Sequence, residues 1–550
     1  MIAPGWRQRA LSSLDGGFDL VVVGGGITGC GVFLDAAQRG LTVLLVERGD
    51  LAAGTSSRSS KLVHGGLRYL KQMQLGLTRT ASRERDRMLR LSPHLVDALR
   101  FVYPVYHAEG MPGWQVELGL ALYDRLTTGP AHRQHLAADE LARRVPALRT
   151  TDLDRAVAYL DARADDARLT LAVAATGAAY GGRLLTRAAV EEGRRGGGGR
   201  LSAVVLRDLE SGRVHAVTAG VVVNATGVWT DELAQRLGEE GRRLRPSRGS
   251  HLVLPASRLR LADAVTVSSP DDGRPVFFIP HPEGVLAGTT DLFHDGSLDD
   301  PRPDDDEVDY LLRAAAAAFP AAGLTRADVR GAFAGVRPIL DSDATEPSKA
   351  SREEAIWEEA GLLTVAGGKL TTWRPMAEAV VDRALASLPE ERAGRAGRCA
   401  TAGTPLGALA PPDLAAHLAA ARPGLDPAVG TALARRLAGH AWGALDLAAR
   451  RRDLAPLVAG TDLTAAEVRT HARYGAVLHL DDLLLRRARF GLWQPEAARE
   501  LAVPAAAVLA GELGWTRRRR HREIDAFAGA LEGWTLGGVR PSRGGAGRGP

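Results

Sequence analysis

The chain has 550 residues, 45% hydrophobic and 25% charged, the composition of a globular protein with room for about two to four domains. Its net charge of +5 comes with no zinc spacing and no nucleic-acid module, so nucleic acid is not an expected partner. Two cysteines, Cys30 and Cys399, argue against a disulfide framework or a metal site, and no apolar stretch is long enough to span a bilayer.

The N-terminal MIAPGWRQRALSS lacks a signal-peptide core, so a cytoplasmic location is expected. Residues 18–47 then form the first readable unit. An apolar run, Phe18 to Val23, enters a turn where Gly24, Gly26 and Gly29 fall at G-x-G-x-x-G spacing. An amphipathic helix follows, then a second apolar run, Leu41 to Val46, ending at Glu47. This predicts strand, turn, helix and strand. Such glycines let the backbone approach a pyrophosphate, and the helix N-terminus offers N–H groups to the same anion. Glu47 is placed for an adenosine ribose. The glycines alone are weak evidence, because 63 of them in 550 residues generate about one such spacing by chance. The flanking strand, helix and acid carry the reading, and NAD and FAD fit it equally.

Residues 51–70, LAAGTSSRSSKLVHGGLRYL, follow where a bound dinucleotide would continue. Their hydroxyls and backbone suit phosphate contacts; His64, Arg68 and Tyr69 suit a reacting centre. Residues 72–145 read as mainly helical, with helical spacing in ASRERDRMLRLSPHLVDALRF and WQVELGLALYDRL. Strand character returns over 181–228, and VVVNATG, ending at Gly227, is a second apolar strand entering a small-residue turn. RGSHLVLP, PVFFIPHP and VLAGTTD predict short strands of an antiparallel sheet, a suitable roof for a substrate. In LLTVAGGKLTTW, a strand over Leu362–Ala366 meets Gly367, Gly368 and Lys369, and Thr371 or Thr372 caps the next helix.

Only four of the 70 basic residues are lysines: Lys61, Lys71, Lys349 and Lys369. Two of them, Lys61 and Lys369, stand in Gly/Ser/Thr-rich segments where a compact charge fits better than a guanidinium. After a linker at 389–405, residues 400–530 read as a separate all-helical C-terminal domain. The basic run Arg517–Arg520 reads as a solvated helix face. The end of the chain, 536–550, is Gly/Arg-rich and predicted to be disordered.

In order along the chain, GGGITGCG, TSSRSSKLVHGGLRYL, DDARL (165–169), VVNATGVW (222–229), GSHLV (249–253), AGTTD (287–291), GVRP (335–338) and GGKLTT (367–372) resemble the motifs of FAD-dependent, quinone-linked glycerol-3-phosphate dehydrogenase, of the D-amino-acid-oxidase-like flavoproteins. The segment from Ala466 to Leu492, with LDDLLLRRARFGL, resembles that family's C-terminal domain. The resemblance implies an α/β architecture: a Rossmann-like FAD-binding domain interleaved with an antiparallel-sheet substrate domain, plus the all-α C-terminal domain. FAD-binding segments would span about 17–75, 160–235 and 330–388 of a 17–388 oxidoreductase region, with substrate segments at 76–159 and 236–329 between them.

The resemblance also implies roles. Gly24, Gly25, Gly26, Ile27, Thr28, Gly29 and Glu47 would hold the adenine half of FAD. Thr55, Ser56, Ser57, Lys61, Leu62, His64 and Gly65 would line its pyrophosphate and flavin. Ala225, Thr226 and Gly227, with Gly368, Lys369, Leu370 and Thr371, would complete the pocket. Arg337, Arg352 and Lys369 would hold the substrate phosphate, with Arg68 and Tyr69 facing the substrate. His64 is the first candidate for the base that takes the hydroxyl proton, and His251 the second. The implied partners are glycerol 3-phosphate, a membrane quinone and an anionic lipid surface, reached by peripheral attachment to the inner face of the membrane; a homodimer is also compatible. LLLRRARFGLW would either touch lipid or pack between domains. The alternatives are an oxidase using oxygen, an amine or amino-acid oxidase of the same fold, and a non-catalytic flavin-binding protein.

Overall fold

The computed structural model describes residues 2–65, 75–107, 112–126, 133–341 and 354–542. Arg68, Tyr69 and Arg352 lie outside the described residues, as do Lys71 and Lys349.

Two sheets organise the fold. The first has eight strands, and its centre is parallel. Phe18–Val23 lies between Val43–Glu47 and Val214–Asn224, with Arg183–Thr186 and Leu362–Ala366 flanking them. All six residues of Phe18–Val23 are buried, as expected of a strand covered on both faces. Helices Ile27–Gln38, Asp166–Ala179 and Trp373–Ser387 pack together beside it. Close approach needs glycine here: a Cβ on Gly177 would sit 2.6 Å from the Phe33 ring, and one on Gly31 would sit 2.8 Å from Trp373.

The second sheet has ten strands and is antiparallel except where Ala264–Ser268 runs parallel to Val96–Tyr106. It contains the three strands expected between 248 and 291, as Ser247–Leu254, Pro275–His281 and Gly284–Gly288. It also corrects the helical reading of 72–145. Leu75–Leu91 and Gly113–Leu126 are helices, but Val96–Tyr106 is an eleven-residue strand, paired along its length with Leu153–Ala164. Pro93 is the reason. It disfavours helical backbone at Ser92, and the Val-, Phe- and Tyr-rich stretch beyond it suits a half-buried pleated surface.

Beyond residue 390 the chain is helical, as expected. It is not a free-standing unit, however. Residues 414–454 build a small core of their own around Leu418, Leu433 and Ala441. Residues 463–534 instead join the core beneath the antiparallel sheet, where Leu484, Phe490 and Trp493 share a cluster with Phe101, Tyr159 and Phe333. LLLRRARFGLW is therefore an internal packing face and does not touch lipid: Leu483 to Leu485 and Arg486, Arg487 and Arg489 are all buried. The basic run opens helix Arg517–Glu532 and is a largely solvated face, with Arg519 paired to Glu523 and Glu210. The expected disorder from 536 onward is corrected in part. Leu536–Gly538 forms a helical turn, and the Arg540 backbone bonds Pro303 and Asp305. Among the described residues no helix is long and apolar enough to cross a membrane.

Candidate active site

A cavity of about 920 Å³ lies between the two sheets. One end is built from the tips of parallel strands. Gly24, Gly26, Ile27, Thr28, Glu47 and Ala225 to Trp229 line it, with Ala188 to Val190. Gly24 has φ +115°, and a Cβ there would meet the Ala225 carbonyl oxygen at 2.5 Å. Gly29 packs the helix onto the turn, since its Cβ would fall 1.9 Å from the Gly24 oxygen. Gly25 and Gly29 shape the turn without lining the cavity. Glu47 accepts hydrogen bonds from the backbone N–H groups of Gly25 and Gly49, both at 2.6 Å, and burial pushes its carboxyl pKa up. Those two bonds aim the carboxylate at the turn, where a ribose hydroxyl would lie.

The middle of the cavity is the 51–65 segment. Ser56 Oγ accepts from Ile27 N at 2.9 Å, closing the first turn of the fingerprint helix, and Thr55 Oγ1 donates to the Val336 carbonyl at 2.5 Å. Leu62 and His64 line the wall. Thr371 Oγ1 accepts from His64 N at 3.2 Å. Gly368, Lys369, Leu370 and Thr371 continue the same lining, and positive φ at Gly367 and Gly368 turns the chain off strand Leu362–Ala366.

Three expected contact residues are placed elsewhere. Ser57 is buried behind the wall. Gly65 is packed against Tyr123 and Asp161, which both accept from its N–H. Lys61 points inward, and its Nζ donates to both Asp166 oxygens at 2.9 and 3.0 Å and to the Ser57 carbonyl at 3.1 Å. Burial and the Arg489 charge bring its pKa down to about 8. Lys61 braces the loop and does not line the cavity.

At the far end, Arg337 projects from strand Gly331–Arg337. Its Nη1 lies 3.0 Å from Asp291 Oδ1 and its Nη2 3.1 Å from Thr289 Oγ1. Arg274, which sequence reading missed, lines the same end and donates to the Asp291 backbone carbonyl at 3.0 Å. His251 is stacked on Phe333 with centroids 4.9 Å apart, and its Nε2 lies 2.8 Å from Ser60 Oγ. Burial, with Arg337 nearby, holds its pKa well below the usual imidazole range. Also missed were Phe101, Tyr103, Tyr159, Asp161, Thr266 and Phe277, which form the apolar and polar wall. The available signal was alternation: Phe101 and Tyr103, like Tyr159 and Asp161, are two apart and share one face of a strand.

The strand-tip turn, the glycine contacts and the acid at Glu47 fit a dinucleotide, and a cavity of about 920 Å³ leaves room for a reacting ring. Residues 19–383 match the family described as FAD dependent oxidoreductase, and residues 399–520 match the C-terminal domain of alpha-glycerophosphate oxidase. The chain belongs to the FAD-dependent oxidoreductase family, and its cofactor is FAD. Within it, the chain is 38% identical over 541 residues to the glycerol-3-phosphate dehydrogenase of Mycobacterium leprae, covering 95% of this chain and 90% of that protein. It is 37% identical over 390 residues to the aerobic glycerol-3-phosphate dehydrogenase of Staphylococcus saprophyticus, 70% of each chain. The crystal structure of glycerol-3-phosphate dehydrogenase from Bacillus halodurans complexed with FAD is similar over 97% of this chain and 98% of that one, with TM-score 0.79 and 28% identity.

Proposed function

We propose that this chain oxidises sn-glycerol 3-phosphate to dihydroxyacetone phosphate and passes the electrons to a membrane quinone. The carrying observation is the cavity itself, whose lining joins a dinucleotide turn to His64 and Lys369 and, beyond them, to Arg337 and Arg274. The substrate holds a phosphate with close to two negative charges beside a secondary alcohol. Arg337 and Lys369 would bind that phosphate, with Arg274 as a further cation at the same end. Two or more charge-assisted bonds to a dianion fix C2 in position and convert encounter into a near-attack geometry. Bound FAD supplies the hydride acceptor for C2.

The C2 hydroxyl proton goes to His64. His251 is the weaker candidate, because its burial disfavours the protonated ring and its Nε2 is already engaged by Ser60. Its place on the wall suits orientation of the substrate hydroxyls. Phe101, Tyr159 and Phe277 line the same space and keep water from the reacting carbon.

Anaerobic mixing with a substrate panel tests the reading. Glycerol 3-phosphate should bleach the flavin; glycine, sarcosine and D-alanine should not, and bleaching by an amino acid alone would replace this substrate with an amine. A second acceptor, oxygen, is favoured by the match of residues 399–520 to an oxidase domain. Comparing peroxide yield with quinone reduction separates the two: stoichiometric peroxide would make the enzyme an oxidase. Quinone as acceptor implies peripheral contact with the membrane surface.

A further inference from the structure

The helical C-terminal region carries three closely spaced arginines that the oxidation chemistry leaves unused. Arg486 and Arg487 close the Asp482–Arg487 π-helical turn, Arg489 follows it, and all three are buried. None of them lines the cofactor cavity. All three reach across to the loop that joins strand Val43–Glu47 to His64.

At one end of that loop, Asp50 accepts from Arg486 Nε, from Arg487 Nη1, and from Arg487 Nη2 at 2.8 Å. At the other end, Arg489 Nη2 lies 3.0 Å from Asp166 Oδ1 and 3.4 Å from the Ser57 carbonyl. Asp166 is also the partner of Lys61 Nζ, Ser59 N and Ser59 Oγ. The C-terminal segment thus grips the loop at both ends.

What lies between the grips faces the cofactor. Ala52 N donates to the carbonyl of Gly25 in the fingerprint turn at 2.9 Å. Ser56 Oγ accepts from the first N–H of the fingerprint helix, and Ser60 holds His251. A buried ion pair is a poor source of net stability, since desolvation consumes most of its attraction. It is directional, however, and truncating one partner is costly. Such pairs suit a part that must hold one register.

We propose that Arg487 and Arg489 are positioning residues for FAD: the C-terminal region clamps the 50–61 loop and so sets the retention of the cofactor. The inference rests on FAD binding alone and holds whichever substrate or acceptor the enzyme uses.

Arg487→Met and Arg489→Met test it. Each leaves an ion pair in place, Arg486 with Asp50 or Lys61 with Asp166, so neither strands a buried carboxylate. The control is Arg436→Met. Arg436 is another buried arginine, and its partners, Glu467 and Asp462, lie within the C-terminal region. FAD is titrated into each deflavinated full-length protein and followed by flavin fluorescence, with circular dichroism and melting temperature read in parallel. The expected result is a dissociation constant raised at least about tenfold in the two clamp variants and changed less than about twofold in the control. The as-purified flavin-to-protein ratio should fall and recover with excess FAD. Arg489→Lys, which keeps the charge but loses the fork, should fall between wild type and Arg489→Met, and it serves as the test if the Met variants do not fold. Wild-type FAD affinity in the folded clamp variants, or equal loss in Arg436→Met at matched melting temperature, would overturn the proposal.

Discussion

Replacing Arg337 by Met probes the phosphate end most directly. The side chain is 22% exposed and its guanidinium already makes polar contacts to Asp291, Thr289 and Ser247, so its orientation is set before any ligand arrives. A charge-assisted hydrogen bond contributes about 1.5–3 kcal/mol. Losing one or two of them to a dianion corresponds to about 2–4 kcal/mol, or roughly 30- to 1000-fold in kcat/KM for glycerol 3-phosphate. Glycerol has no phosphate, so its slow oxidation should change by less than about threefold. Stability should also fall, because Asp291 is buried and loses its ion pair. Asp291 keeps the Ser247 hydroxyl at 2.7 Å, and Arg337 is partly solvated, so the loss should be about 1–3 kcal/mol, below that of a fully buried pair. Stopped-flow flavin reduction under nitrogen gives the two specificity constants, and urea denaturation gives the stability. An equal fall for both substrates would remove Arg337 from the phosphate site.

Three further expectations have separate readouts. His64→Asn should slow anaerobic flavin reduction by about 10²–10⁴-fold with the flavin-to-protein ratio unchanged; an undiminished rate would assign the proton to another group. Gly29→Ala should yield protein depleted of FAD, because the added methyl would lie 1.9 Å from the Gly24 oxygen, whereas Gly119→Ala, where nothing lies within 4 Å, should be neutral or stabilising. His479 bridges Glu210 and Glu523 at 2.7 and 3.0 Å, and despite burial those carboxylates raise its pKa from 6.5 to about 9. A raised folded-state pKa contributes fully below 6.5 and is lost as pH rises through 9. The contribution is at most about 3 kcal/mol, so urea midpoints at pH 6 and 9.5 should differ more for wild type than for His479→Gln.

The features readable in the sequence were those encoded by neighbouring residues. Phe18–Val23, the Gly24–Gly29 turn and Glu47 declared themselves because apolar runs, small residues and a terminal acid follow the period of a strand, a turn and a helix. The Gly367–Gly368–Lys369 corner and the strands between 247 and 288 were legible for the same reason. The strand at Val96–Tyr106 was not, since the charged helical pattern before it masked the break at Pro93. With it went Phe101 and Tyr103, and with its partner strand Tyr159 and Asp161, all of which line the cavity.

Lys61 marks the boundary most sharply. Its place in a Gly/Ser-rich segment pointed to the cofactor, yet the ammonium turns away because Asp166, 105 residues later in the chain, stands behind it. LLLRRARFGLW had two readings, lipid or packing, and only Asp50 and Asp166 decide between them. Spacing determined that this chain builds a dinucleotide turn with a histidine-bearing segment beside it, and the resemblance of its motifs supplied the cationic pocket. Which charges face the cavity and which are spent inside was decided by the tertiary structure, because a buried charge goes where its counter-charge is, and periodicity does not record that distance.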